Sequence, residues 1–184
     1  MLILATRSKA RRNLLANAGF GYHLRFSISN ADETLRRKET PIAHVRRLAR
    51  AKTMAILPRR NAIIIGVDTI VVLGKEIIGK PKNVSDARRI LRKLSGRWHT
   101  VVSGLAVRDM ARRTMRVRVV KTRVKFAKLS HQRIEWYVKT GEPFGKAGAY
   151  AVQGKGVAFI DAIRGSITNV IGLPMDILER LLRT

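Results

Sequence analysis

A single aspartate, Asp68, interrupts a long apolar run of the chain. The run extends from Ala62 to Leu73, is rich in Ile and Val and contains Gly66, a composition typical of a buried β-strand. Burying a carboxylate without a partner is costly, so Asp68 indicates a cation, a metal ion or a reaction beside it. The alternative is an ordinary aspartate at a boundary between strand and turn.

Two lysines also occupy positions from which a cation can act on a negatively charged group. In the helix that Pro41 opens, Val45 and Leu48 define an apolar face, and Lys52 falls on that face. A lysine there either extends its ammonium to the surface or points it into a cleft. Lys80, between a glycine and a proline after a short strand, is either a turn residue or a rigidly held cation.

Four of the 12 acidic residues have a local explanation in the sequence. Glu135, Asp176 and Glu179 each precede a basic residue by four positions, the spacing of ion pairs on a helix surface. Asp86 lies at a helix start, where its charge meets the positive end of the helix dipole. Among the acids without such an explanation are Asp32, Glu33, Asp68, Glu142 and Asp161.

Strands and helices are mixed throughout the chain, which predicts an α/β fold. Strands are predicted at 2–5, 22–28, 62–73, 76–78, 98–107 and 116–126. Helices are predicted from after Ser8 to Gly19, from Pro41 to about Leu57, over 87–94 up to Gly96, and at 130–139 and 174–182. In the strand at 116–126 the basic residues change parity after 118, which predicts a bulge or a change of face near Val119 and Val120.

Length and composition predict one domain spanning residues 1–184. With 184 residues, 46% of them hydrophobic, the chain can bury one substantial core. It has no apolar run of about 18 residues, as a membrane span requires, and the basic residues near the N-terminus follow the apolar stretch, unlike those of a signal peptide. We therefore expect a cytoplasmic protein. The absence of cysteine excludes disulfides and thiolate metal ligands.

The charge balance is extreme, with 38 Lys and Arg against 12 Asp and Glu and a formal net charge of +26. Such a field predicts non-specific, salt-sensitive attraction to polyanions. The basic residues are dispersed, with Arg46, Arg47 and Arg50 in the helix after Pro41, and most of them are interpreted as lying on solvated helix faces. A nucleic-acid-binding module is an alternative function, but aromatic content is only 5% and no zinc, RRM or KH signature is present.

Ten segments of the chain follow, in order, the motifs of a known family. They are LATRSKARR, DET, LARAK, GVDTIV, GKP, LSGR, HTVVSG, GEP, KAGAYAVQG and NVIGLP. In these segments the chain resembles the Maf family of nucleoside triphosphate pyrophosphatases, also called septum formation inhibitors. The resemblance implies an α/β fold of the Maf and inosine triphosphatase type, with a long mixed β-sheet flanked by helices and two lobes around a cleft. It also implies a homodimer.

The resemblance further implies hydrolysis of a nucleoside triphosphate to the monophosphate and pyrophosphate with Mg²⁺ or Mn²⁺. That chemistry requires a carboxylate for the attacking water and cations for the triphosphate. Asp68 is implied as the proton acceptor and Glu33 as a partner of the metal or of the attacking water, and both are candidate metal ligands. The implied phosphate ligands are Ser8, Arg11, Lys52 and Lys80, and the implied determinants of base specificity are Thr69 and Gln153.

The segment at 146–154 resembles the family members that act on dTTP and UTP rather than on 7-methyl-GTP. Three positions depart from the usual pattern: Ala10 replaces an arginine linked to substrate selection, Ala51 a glutamate and Gly145 an aspartate. These departures bear on efficiency and specificity more than on the fold. A protein that regulates cell division through a partner, with weak or no catalysis, is a second alternative.

Overall fold

The computed structural model of the protein describes residues 1–57 and 59–183, which form seven strands and six α-helices. The strands are β1 (Leu2–Ala5), β2 (Leu24–Ser27), β3 (Ile63–Leu73), β4 (Glu76–Ile78), β5 (Trp98–Asp109), β6 (Thr114–Phe126) and β7 (Ile160–Arg164). The helices are α1 (Lys9–Ala16), α2 (Pro41–Met54), α3 (Val84–Leu94), α4 (His131–Lys139), α5 (Ile167–Ile171) and α6 (Met175–Arg183). Two short 3-10 helices span Ala147–Ala149 and Lys155–Phe159.

All seven strands belong to one mixed sheet, in the order β2-β1-β3-β5-β6-β7, with β4 paired to β3. β1 runs parallel to both β2 and β3, whereas β3 and β4 pair antiparallel, as do β6 and β7. The register of β1 against β3 ends where Ala5 lies opposite Gly66. The predicted α/β fold with a mixed sheet flanked by helices is therefore confirmed.

The chain divides into two compact units. The first comprises Met1–Thr69, Ser103–Val120 and Gly172–Thr184. Its larger core cluster unites side chains from β1, α1, β3, β5 and α6, among them Leu4, Leu15, Val67, Leu105 and Leu178. These residues alternate with period two on the strands and recur on one face of each helix, so β1 and β3 are covered by α1 and α6.

The second unit comprises Ile70–Val102 and Lys121–Ile171. Its core joins the apolar faces of α3 and α4 to an aromatic group. Phe126, Tyr137, Tyr150 and Phe159 meet edge to face in this group, with ring centroids 4.8 to 5.9 Å apart. This edge-to-face geometry is favoured by aromatic pairs.

Ser8, Thr40, Asn83 and Ser130 each cap the helix that follows. The starts of α1, α2 and α4 agree with prediction to within one residue, whereas α3 begins at Val84, three residues before the predicted start. α2 ends three residues before the predicted Leu57, and β7 was not predicted. In β6 the exposed positions change from even to odd numbers between Arg118 and Lys121, in agreement with the predicted change of face. Within the described ranges, no helix has the length and apolarity needed to cross a membrane.

Candidate active site

Helix α2 lies directly against the backbones of β3 and β5 at two glycines. A Cβ atom on Gly66 would stand 2.2 Å from the carbonyl oxygen of Ala49, and one on Gly104 would stand 2.1 Å from that of Val45. Any side chain at either position would therefore displace the helix. Because alternate residues of a strand face the same side, Asp68 faces α2 as Gly66 does.

The ammonium of Lys52, in the last turn of α2, lies between two carboxylates. Its Nζ atom is 2.8 Å from Oδ1 of Asp68 and 2.7 Å from Oε1 of Glu33. Lys52 and Asp68 are buried, with 6% and 7% of their surface exposed, whereas the Glu33 side chain is 53% exposed. The lysine thus points toward Asp68 rather than extending into solvent, and the aspartate has the cationic neighbour that its sequence context indicated.

The loop that carries Glu33 is held to α2 by Arg47. The guanidinium donates to the backbone carbonyls of Asp32 and Thr34 at 3.4 and 2.9 Å, on either side of Glu33. It also donates to both oxygens of Glu39 at 2.7 and 2.8 Å. These hydrogen bonds hold the pKa of Glu39 well below its usual range. Arg47 is therefore an exception to the solvated helix faces expected for most basic residues, since its side chain holds the loop that contains Glu33.

Arg11 and Thr69 form a second group of candidate site residues in the first unit. The Arg11 guanidinium donates to the carbonyls of Gly172 and Val67 at 2.8 and 3.2 Å and to the Thr69 hydroxyl at 2.9 Å. The Thr69 hydroxyl also lies 2.8 Å from that of Ser103. An arginine has five N–H donors, so two remain for a ligand. Ser103 lies in a family segment but carries no sequence signal of its own for this role.

Gly172 permits this arrangement, because its φ of 115° lies in the region that favours glycine and a Cβ atom there would stand 3.0 Å from Nε of Arg11. Burial lowers the pKa of Arg11, while the negative charges of Asp68 and Glu33 oppose that shift. The guanidinium and the carboxylates are therefore electrostatically linked.

The N-terminus of α1 carries an unusual concentration of positive charge. Ser8 caps the helix, its hydroxyl accepting from the Arg11 amide at 3.4 Å. The first turn contains no acidic residue and begins with Lys9, followed by Arg11 and Arg12. Cations are unfavourable at the positive end of a helix dipole, whereas anions are stabilised there. An anion bound at this end of α1 would relieve that repulsion.

Lys80 and Gln153 belong to the second unit, and both side chains are exposed. The turn that holds Lys80 contacts the 146–154 segment, since the Gly79 carbonyl accepts from the Gly148 amide at 3.1 Å. The second unit therefore places the turn of Lys80, the candidate phosphate ligand, next to the segment of Gln153, the candidate determinant of base specificity.

Glu142 fastens the loop that follows Gln153. Its carboxylate accepts from the amides of Lys155 and Gly156 at 2.8 and 3.0 Å and from the Tyr137 hydroxyl at 2.8 Å. Burial acts to raise the pKa of Glu142, but these hydrogen bonds outweigh it and the pKa is lowered. The acid that lacked a local explanation in the sequence therefore has a structural role beside a candidate site residue.

The resemblance implies a divalent metal ion, and the donor set at Asp68 and Glu33 fits one. Two carboxylates already share a single cation, the Lys52 ammonium, and hard oxygen donors suit Mg²⁺ and Mn²⁺. Within 1–57 and 59–183 no cluster of three or more His, Asp or Glu side chains could hold a metal. A metal held by two carboxylates would complete its coordination with substrate phosphates and water, as Mg²⁺ commonly does.

Comparison with known proteins identifies the class to which this fold and site belong. Residues 1–184 match the family model described as Maf-like protein, and the chain belongs to this Maf family. It is 45% identical to a dTTP/UTP pyrophosphatase of Anaeromyxobacter dehalogenans over 99% of the chain and 92% of the relative. Proteins of the same name from Dictyoglomus thermophilum and Pelotomaculum thermopropionicum are each 44% identical, over 98% and 99% of the chain and 94% and 95% of their own lengths.

Proposed function

We propose that this protein hydrolyses nucleoside triphosphates to the monophosphate and pyrophosphate, with dTTP and UTP as preferred substrates. The observation that carries the proposal is the buried ammonium of Lys52, shared by the carboxylates of Asp68 and Glu33. The relatives named dTTP/UTP pyrophosphatase, similar over nearly the full chain, support the same reaction. The homodimer that the family resemblance implies stays a prediction.

In the proposed reaction, water attacks the α-phosphorus, the bond from that phosphorus to the bridging oxygen breaks, and pyrophosphate leaves. Asp68 orients the water and accepts its proton, the role of a general base. Lys52 has three N–H donors, and two are taken by the carboxylates. The third is available to a phosphate oxygen, so the lysine can bind substrate without leaving Asp68.

The remaining cations suit the charge of the triphosphate. The basic first turn of α1 and the two unused donors of Arg11 provide a site for an anionic group in the first unit. Lys80 provides an exposed cation in the second unit. A divalent ion held by Asp68 and Glu33 would supply further neutralisation of phosphate charge. Preorganised charges of this kind are often the largest contribution to catalysis.

Substrate preference provides the most direct test. Thr69, Gln153 and the segment at 146–154 match the dTTP and UTP subgroup, so these nucleotides should be hydrolysed faster than ATP, GTP or 7-methyl-GTP. Pyrophosphate release is measured for each nucleotide under identical conditions. Ala10 replaces an arginine linked to substrate selection. We expect this replacement to reduce the preference for dTTP and UTP without reversing it. Faster turnover of 7-methyl-GTP than of dTTP and UTP would show that the subgroup is wrong.

The role of Arg47 gives a second test, through the Arg47→Met variant. Without the guanidinium, the backbone on both sides of Glu33 loses its hydrogen bonds to α2, while the Lys52 contact with Asp68 is retained. Loss of such supporting contacts typically lowers activity or metal affinity about 10-fold to 100-fold. We expect a fall in turnover in that range, together with a higher Mn²⁺ concentration for half-maximal activity.

Arg46 provides the matched control, because it is the preceding residue of the same helix and is exposed. Arg46→Met removes the same charge without touching the Glu33 loop and should leave both quantities nearly unchanged. Equal losses in the two variants would mean that Arg47 acts through net charge rather than through the position of the loop.

A further inference from the structure

Three side chains of the second unit, Trp98, Arg123 and Arg164, form a cluster with no role in the proposed reaction. The guanidinium carbon of Arg123 lies 4.8 Å from the centroid of the Trp98 ring, and that of Arg164 lies 5.0 Å from it. Arg123 and Arg164 are also opposite each other in the antiparallel pairing of β6 and β7. Two guanidinium groups therefore share one indole ring.

This arrangement places two like charges side by side without neutralising them. Like charges directly opposite in an antiparallel pair are destabilising, and neither arginine side chain makes an ion pair or hydrogen bond with any described residue. The indole offsets part of the cost, because the face of an aromatic ring attracts a nearby cation. The result is a pair of held guanidiniums with unused N–H donors, a good match for a phosphate oxyanion.

The positive charge continues along β6. Lys121 and Arg123 are exposed and alternate with the buried Thr122 and Val124, so both point to the outer face of the strand. Their separation of two residues corresponds to about 7 Å along a strand, comparable with the spacing of successive phosphates in an extended nucleic-acid strand. We call Trp98, Lys121, Arg123 and Arg164 the basic strip.

Acidic residues are scarce around the basic strip. The parts of β5, β6 and β7 that belong to this unit contain one acid, Asp161, which lies at the register irregularity of β7. Lys125, next on the same face of β6, donates to the Gly96 carbonyl at 2.7 Å and so lies along the sheet. The strip therefore presents three exposed cations beside an aromatic ring on the surface of the sheet.

We propose that the basic strip binds single-stranded nucleic acid, with the two guanidiniums and Lys121 contacting successive phosphates. A row of cations suits a chain of phosphodiesters better than an isolated nucleotide, and an open face with an aromatic side chain is typical of single-strand binders. The net charge of +26 attracts polyanions to the protein in general, and the basic strip is the surface on which we expect them to bind. The proposal is independent of the proposed hydrolysis.

The test uses a fluorescein-labelled single strand of about 12 deoxyadenosines, chosen because its bases differ from those of the proposed pyrimidine substrates. Binding is followed by anisotropy as salt rises from about 50 to 200 mM, the range over which phosphate contacts weaken steeply. The variant Arg123→Gln/Arg164→Gln should bind at least about tenfold more weakly. The slope of log affinity against log salt should fall in magnitude by about 1.4, because each phosphate contact on a single strand contributes about 0.7.

The matched control is Arg112→Gln/Arg113→Gln, which removes the same charge from the exposed turn between β5 and β6. If the strip is the binding surface, this control retains most of the affinity and of the salt slope. Equal losses in the two double variants, or no binding by the wild-type protein at low salt, would overturn the proposal. Melting temperatures of all variants establish that they are folded, and dTTP hydrolysis by Arg123→Gln/Arg164→Gln should equal that of the wild type.

A second measurement needs no change in the strip. The chain has two tryptophans, so Trp136→Phe leaves Trp98 as the only one. Its fluorescence should change as the oligonucleotide saturates the protein. Saturable binding without any change in Trp98 emission would place the nucleic acid elsewhere and contradict the proposal.

Discussion

Replacing Asp68 by asparagine is expected to lower turnover at least about a hundredfold, the low end for loss of a general base. Asparagine keeps the shape of the side chain but removes its charge and its basicity. The melting temperature should stay unchanged or rise when no metal is present, because Glu33, 2.7 Å from the ammonium, still compensates Lys52. Pyrophosphate release and thermal unfolding are measured on the same preparation.

Asp109 offers a matched control for this experiment, since it is also a buried aspartate on a strand of the first unit. Its carboxylate accepts from the amides of Ala111 and Arg112 at 2.9 and 3.0 Å and so stabilises a turn. Asp109→Asn should lower the melting temperature and leave the turnover of folded protein near normal. A folded Asp68→Asn variant with near-normal activity would contradict the proposed mechanism.

The second large effect is expected for Lys52→Met, which removes the cation between the two carboxylates. Turnover should fall about 10²–10³-fold, as it does on loss of one preorganised electrostatic group. Without metal the variant should also unfold at a lower temperature, because Asp68 and Glu33 then face each other uncompensated. Added Mn²⁺ should raise its melting temperature by more than that of the wild type, since the metal replaces the lost ammonium.

Lys93→Met is the control for charge alone, because Lys93 pairs with Glu76 near the surface of the second unit. This variant should retain wild-type turnover, and Mn²⁺ should affect its stability no more than that of the wild type. If Lys52→Met kept full activity, the shared ammonium would be no part of the catalytic site.

The sequence predicted the elements of the site better than the contacts between them. The apolar run around Asp68 and the position of Lys52 on the apolar face of α2 are local sequence patterns. Each pattern allowed two interpretations: Asp68 beside a cation or at an ordinary turn, and Lys52 pointing into a cleft or to the surface. The choice between the alternatives depended on how α2 packs on β3. That packing is set by Gly66, whose missing side chain becomes informative only when the neighbouring helix is known.

Contacts formed by long basic side chains could not be predicted. Arg11 reaches the carbonyl of Gly172, 161 residues away in the chain, and no periodic pattern encodes such a pairing. Glu135 illustrates the same limit, because it pairs with Arg88 of α3 at 2.7 Å, whereas the sequence predicted a partner four residues later on its own helix. In a chain with 38 basic residues each carboxylate has many candidate partners, and only the folded backbone selects among them.

The close approach of α2 to the sheet restricts the substitutions that the protein can accept at Gly66 and Gly104. The packing of α2 that brings Lys52 to Asp68 requires that Gly66 and Gly104 have no side chain, and neither glycine carries a reactive atom. An alanine at either glycine would push α2 away from the sheet and so move the backbone of Lys52 relative to Asp68. Two residues without a reactive atom therefore help to place the ammonium beside the carboxylate.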